Sequence, residues 1–151
     1  MIPSRETLAL INQAFSQDTA VWSSDPQTKI ALVVSSFVPG PDVDISALTL
    51  ASFTGSAPID VPAPPQNIVV DNESGRVGIL LKEPVGGYKW ICTAAPDPAQ
   101  TVYGWIVYLE DLSELFFSEL LPEPVVITSV GNFVELTATL GYLSMDAYGN
   151  L

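Results

Sequence analysis

Thirteen prolines and ten glycines in 151 residues cut this chain into apolar runs that are mostly too short for helices. Proline fixes φ and has no N–H to donate, so it ends helices and stays out of central strands. Glycine, asparagine and aspartate accept the backbone conformations of tight turns. The segments between these breaks are β-branched and aromatic, at roughly the 8–12-residue spacing of all-β sandwiches and barrels.

Residues 29–38 (KIALVVSSFV) read as a strand buried in part on both faces, ended by Pro39-Gly40-Pro41-Asp42. Residues 46–51 (SALTLA) have room for one or two helical turns with Leu48, Ala51 and Phe53 facing inward, closed by Gly55. Pro58, Pro62, Pro64 and Pro65 mark an extended, edge-like crossing. Residues 67–70 (NIVV) and 76–82 (RVGILLK) flank Asp71-Asn72-Glu73-Ser74-Gly75 and read as a hairpin. Glu83-Pro84-Val85-Gly86-Gly87 is the next turn, and residues 88–93 (YKWICT) alternate as a half-buried strand does. Residues 94–99, with two prolines, form a loop. Residues 101–109 (TVYGWIVYL) and 115–121 (LFFSELL) make a second hairpin. Pro122-Glu123-Pro124 turns into residues 125–128 (VVIT), and Gly131-Asn132 precedes a last strand over residues 133–143 (FVELTATLGYL).

The start of the chain reads differently. Ser4 is placed to cap a helix over residues 4–17, with Glu6 in the first turn, where the helix dipole favours an anion. Leu8, Ile11 and Phe15 then fall at i, i+3 and i+7 as one narrow apolar stripe, flanked by Leu10 and Ala14. The stripe either covers the end of a sheet or docks on a neighbouring subunit, and it supplies the candidate partner-binding residues. The expected fold is all-β: a β-sandwich or jelly-roll-like domain over residues 21–151, with a short N-terminal α-helix in an arm over residues 1–20.

Composition narrows the chemistry. There is no histidine, one cysteine, and five Lys+Arg against 17 Asp+Glu, a net charge of −12. Histidine is the commonest neutral-pH acid–base group and the commonest metal ligand. Nucleic-acid backbones need clustered Lys and Arg. Both inventories argue against most enzyme classes, nucleic acid and anionic membranes as partners. Apolar content is 48% with a mean hydropathy of +0.35, the opposite of a disordered chain. No run reaches the roughly 18 apolar residues that span a bilayer. No basic stretch precedes an apolar core at the N-terminus, so no signal peptide is expected. Lone Cys92 makes an intrachain disulfide impossible. The acidity either serves solubility or favours docking onto a positive protein surface.

Few residues invite chemistry. Cys92 lies within a predicted strand and reads as a small apolar core residue, with no histidine to activate it. Asp42-x-Asp44 and Asp71-Asn72-Glu73 offer oxygen ligands without the spacing of a calcium loop. Glu110, Asp111, Glu114, Glu119 and Glu123 form the densest acidic stretch, and paired carboxylates there are the basis of a rival hydrolase reading. Tyr88, Trp90, Tyr103, Trp105 and Tyr108 are core residues or, if exposed, interface anchors. No catalytic residue, cofactor or metal is expected.

Several segments together resemble a group of small β-rich bacteriophage virion proteins. They are Val38-Pro39-x-Pro41-Asp42, Leu50-Ala51-x-Phe53-x-Gly55, Gln100-Thr101-Val102-Tyr103-Gly104-Trp105, Leu121-Pro122-x-Pro124-Val125, and Gly131-Asn132 before an alternating strand. The similarity runs from about Lys29 to Leu143 and departs at Ser56, where the group has an aromatic residue. It brings no functional residue with it. It implies a non-enzymatic virion structural protein, assembled in the host cytoplasm. The favoured role is capsid decoration (cement) on the exterior, bridging subunits of the major capsid protein, or contact with another virion protein. A homo-oligomer, with a trimer favoured, goes with that role. The alternatives are a tail, spike or fibre-attachment component, or a carbohydrate- or receptor-binding module with exposed aromatics on a concave face.

Overall fold

The computed structural model describes residues 2–3, 27–40, 42–62, 66–71, 76–81, 84–111, 115–136 and 143–145. They form ten strands: β1 (Ile2–Pro3), β2 (Thr28–Val33), β3 (Ile59–Asp60), β4 (Gln66–Asp71), β5 (Arg76–Leu81), β6 (Tyr88–Ile91), β7 (Gln100–Leu109), β8 (Leu115–Ile127), β9 (Phe133–Leu136) and β10 (Leu143–Met145). Every strand pairing is antiparallel. The sheets run β1-β8-β7-β2-β3, β10-β5-β4 and β6-β9. The all-β expectation holds. Among the described residues there is no α-helix and no helix long and apolar enough to cross a membrane. The predicted helix over residues 4–17, with Leu8, Ile11 and Phe15, lies outside the described residues. Just before it, Ile2 and Pro3 pair with Ser118 and Phe117 of β8.

The middle of the large sheet is apolar on both faces, which is why β2 and β7 show so little polar alternation. Ile30 pairs with Val107 and Leu32 with Trp105, and all four belong to a main core cluster on one face. Ala31 pairs with Ile106, and both belong to a second cluster on the other face, with Val33, Tyr108 and Leu115. Phe37, Val43, Ile45, Leu48 and Leu50 cover that second cluster. Full burial of each large apolar side chain contributes about 1.5–3 kcal/mol. Lys29 is a charged exception: its Nζ lies 2.7 Å from Asp60 and 3.3 Å from Glu110 at the sheet's end.

The strand expected over residues 29–38 ends at Val33 because the chain turns there to bond with the following segment. Val34 N–H donates to Thr49 O at 2.8 Å, and Ala51 N–H donates to Leu32 O at 2.9 Å. Phe37 thereby swings back over Gly104, where a Cβ would collide with the Glu119 carbonyl and crowd the Phe37 ring. The helical turn expected over residues 46–51 is one 3-10 turn, Ile45–Ala47. The proline-flanked crossing is β3, at one end of the large sheet's strand order.

A further expectation needs correction. Residues 115–121 and 125–128 are not separate strands: β8 runs from Leu115 to Ile127, and both halves pair with β7. Between the pairs Val102↔Val125 and Gly104↔Leu120, one residue of β7 faces four of β8. Pro122 and Pro124 sit in that widened stretch, where they need not donate to the ladder. A second irregularity, between Val107↔Phe117 and Tyr108↔Leu115, adds one residue, Phe116, to β8. It lets consecutive Phe116 and Phe117 both enter the main cluster, which strict alternation forbids. The strand expected over residues 133–143 is described only in part: β9 pairs with β6 and β10 with β5, and residues 137–142 between them lie outside the described residues.

Candidate interaction surface

β6 and β9 are short, and each alternates cleanly between buried and exposed residues. The inward phase is Tyr88, Trp90, Val134 and Leu136, and it shares the main core cluster with β2, β7 and β8. Tyr88 and Trp90 stack with centroids 6.4 Å apart and planes 16° from parallel. The Trp90 indole Nε1–H donates to Ala57 O at 3.0 Å, so its one polar group is satisfied inside. Just past the end of β6 the chain is tied to the segment that precedes β3: Thr93 N–H donates to Thr54 O at 2.9 Å. Gly55 permits that approach. Its φ is +105°, and any Cβ would collide with the Ile91 carbonyl.

The outward phase is Lys89, Ile91, Phe133 and Glu135. Ile91 pairs with Phe133 and Lys89 with Glu135 across the ladder. The charged pair meets at 3.4 Å, and Lys89 Nζ also lies 4.6 Å from the Phe133 ring centroid. Ile91 is 46% exposed and Phe133 51%. The turn leading into β9 adds Val130, 65% exposed. Asn132 shapes that turn, its Oδ1 accepting from Thr128 N–H at 2.9 Å and Ser129 N–H at 3.0 Å. A small apolar island beside one ion pair thus lies on the outer face of a two-stranded sheet.

Two of the chemical candidates from the sequence, Asp44 and Cys92, have structural tasks. Asp44 caps the 3-10 turn, accepting from Ser46 N–H at 2.9 Å and from the Ser46 hydroxyl at 2.6 Å. Those bonds, the hydroxyl's first, hold its carboxyl below the usual aspartate range. Cys92 is fully buried in the main cluster, and its Sγ–H donates to Ala94 O at 3.2 Å. The acidic stretch is spread along a hairpin: Glu110 and Asp111 lie at the turn, Glu119 within β8 and Glu123 in the widened stretch. At about 3.3 Å per strand residue, its two ends are far apart. Glu114, Asn72 and Glu73 fall outside the described residues. Among the described residues, no three His, Cys, Asp or Glu side chains converge as a metal site would require. Tyr88, Trp90, Trp105 and Tyr108 are buried, and Tyr103 is partly so.

The structure does not place Leu8, Ile11 and Phe15 with anything, since they lie outside the described residues. Sequence reasoning missed Ile91 and Phe133. The signal was available: in residues 88–93 the phase that carries Lys89 and Thr93 also carries Ile91, an apolar residue on the polar side. Comparison with family models, with curated proteins and with solved structures finds no match to this chain.

Proposed function

We propose that this chain is a non-enzymatic virion structural protein, most specifically a capsid decoration protein on the particle exterior. In this reading it is a β-sandwich or jelly-roll-like domain with a short N-terminal helix, used in many copies. One observation carries the non-catalytic part: Asp44, Cys92 and Lys29 are each engaged in holding the fold, while Ile91 and Phe133 remain on the surface. A protein of that design acts by contact. The virion assignment rests on the sequence resemblance, which places the chain beside a major capsid protein or another virion protein.

The helical stripe of Leu8, Ile11 and Phe15 is the proposed docking arm for that partner. A tail or fibre-attachment role is the second reading, since the same resemblance covers it. Inward-facing Tyr88, Trp90, Trp105 and Tyr108 disfavour a carbohydrate module, whose rings must be open to stack on a sugar. The test is electron microscopy of purified particles labelled with an antibody to this chain. Regular labelling over the capsid supports decoration, labelling at the tail supports the second reading, and unlabelled particles reject both.

A further inference from the structure

The outer face of β6 and β9 is built to meet a copy of itself, and we propose that it is a two-fold self-association surface. This inference rests on the reading of the chain as a multi-copy structural protein. A chain of net charge −12 repels its own copies on average, and repulsion between exposed charges fades only beyond about 8 Å at physiological ionic strength. This face is different. Its exposed apolar pair, Ile91 and Phe133, adjoins one cation and one anion, Lys89 and Glu135, so the face is locally neutral.

A two-fold contact places each element of a face on its counterpart: residue i meets j, and j meets i. Turned on a copy of itself, the Ile91–Phe133 pair covers the same pair, and each Lys89 comes within reach of the opposing Glu135. Both elements of the face are therefore complementary to themselves. A strongly basic partner would be met better elsewhere on this acidic chain, and a plain apolar partner would leave the ion pair without a role. The apolar island, with Val130 at its rim, offers roughly 300 Å² against the about 800 Å² per partner of a standard interface. The contact is therefore weak in free solution and gains from neighbours held in an array. It makes pairs, so a trimer requires a second, head-to-tail surface.

The test is sedimentation equilibrium of the full chain up to millimolar concentration, at low and high salt. Wild type is expected to dimerise weakly and more tightly as salt rises, because screening removes repulsion and leaves apolar burial. Phe133→Ser is expected to weaken the dimer at least about tenfold. The decisive arm uses K89E and E135K. Each alone gives a like-charged face and should fail to self-associate, while an equimolar mixture should form a heterodimer. Circular dichroism of each variant checks that it is folded. A wild-type chain that stays monomeric, a dimer indifferent to Phe133→Ser, or a mixture that does not pair overturns the inference. Particle labelling as described above would stand or fall separately.

Discussion

β2 and β7 on one side, and β6 and β9 on the other, contribute to the same core cluster, yet only the first pair is covered on both faces. In β7, the residues from Trp105 to Tyr108 send alternate side chains into two different clusters, and all four are buried. In β6, Tyr88 and Trp90 are buried while Lys89 and Ile91 are not. A strand covered on both sides has no side chain left for a partner, so selection on it concerns stability. A strand covered on one side holds its position through the inner phase and is free to display the outer one. The small sheet thus leaves its outer side chains open, while the middle of the large sheet is closed on both faces.

That contrast breaks most readily with alanine at equivalent phases. Ile106→Ala, at a fully buried position of the second cluster, should cost about 2–5 kcal/mol, whereas Ile91→Ala should stay within about 0.5 kcal/mol. Urea denaturation of the two variants measures both. Comparable losses would mean that the outer face of β6 is not open.

Glycines sharpen the same comparison one step down. Gly55→Ala meets both a positive φ and the Ile91 carbonyl, and should destabilise by about 2–3 kcal/mol while disturbing β6. Gly131→Ala has a φ of +90° but open space around it, so only the backbone cost of about 1 kcal/mol applies. Thermal unfolding of the pair should rank them in that order.

Titration separates the ends of the large sheet from the turn beside it. Lys29 is raised above its ordinary 10.5, first by its bond to Asp60, and Tyr108 above 10.0, first by burial. In both cases the folded state binds its proton more tightly than the unfolded chain does. Their contribution is complete below about pH 10 and falls as pH rises through the folded values. Stability measured between pH 9 and 12 should therefore decline, with a smaller decline in Lys29→Met. At the acid end Asp44 behaves oppositely: its lowered value means that its contribution is present above 3.8 and is lost as pH falls through the folded value. Asp44 is exposed, so the effect is the smallest of the set, and NMR titration of its carboxyl is the direct measurement.

Much of this fold was legible because turns and strands are local. The antiparallel pairing of β4 with β5, the alternation of residues 88–91 and the edge character of β3 all follow from residue type and spacing. What escaped was set by partners distant in sequence. Pro122 and Pro124 look like a strand end, and only the continued ladder on β7 shows that they sit in a widened stretch. For the strand expected over residues 133–143, nothing local says that β6 takes its start at Phe133–Leu136 and β5 the stretch that begins at Leu143. The surface pair was harder still. Ile91 and Phe133 lie 42 positions apart, and their adjacency exists only through the β6–β9 register.

On the proposed reading, this protein works by apolar contact and its acidity serves solubility. Release from purified particles across a salt series at fixed pH tests that most directly. Retention of the protein from low salt to about 1 M is the predicted result, because apolar burial is not screened and salting-out strengthens it. Ready release by moderate salt, well below denaturing conditions, would show that ion pairing with a basic partner holds it in place and would contradict the account.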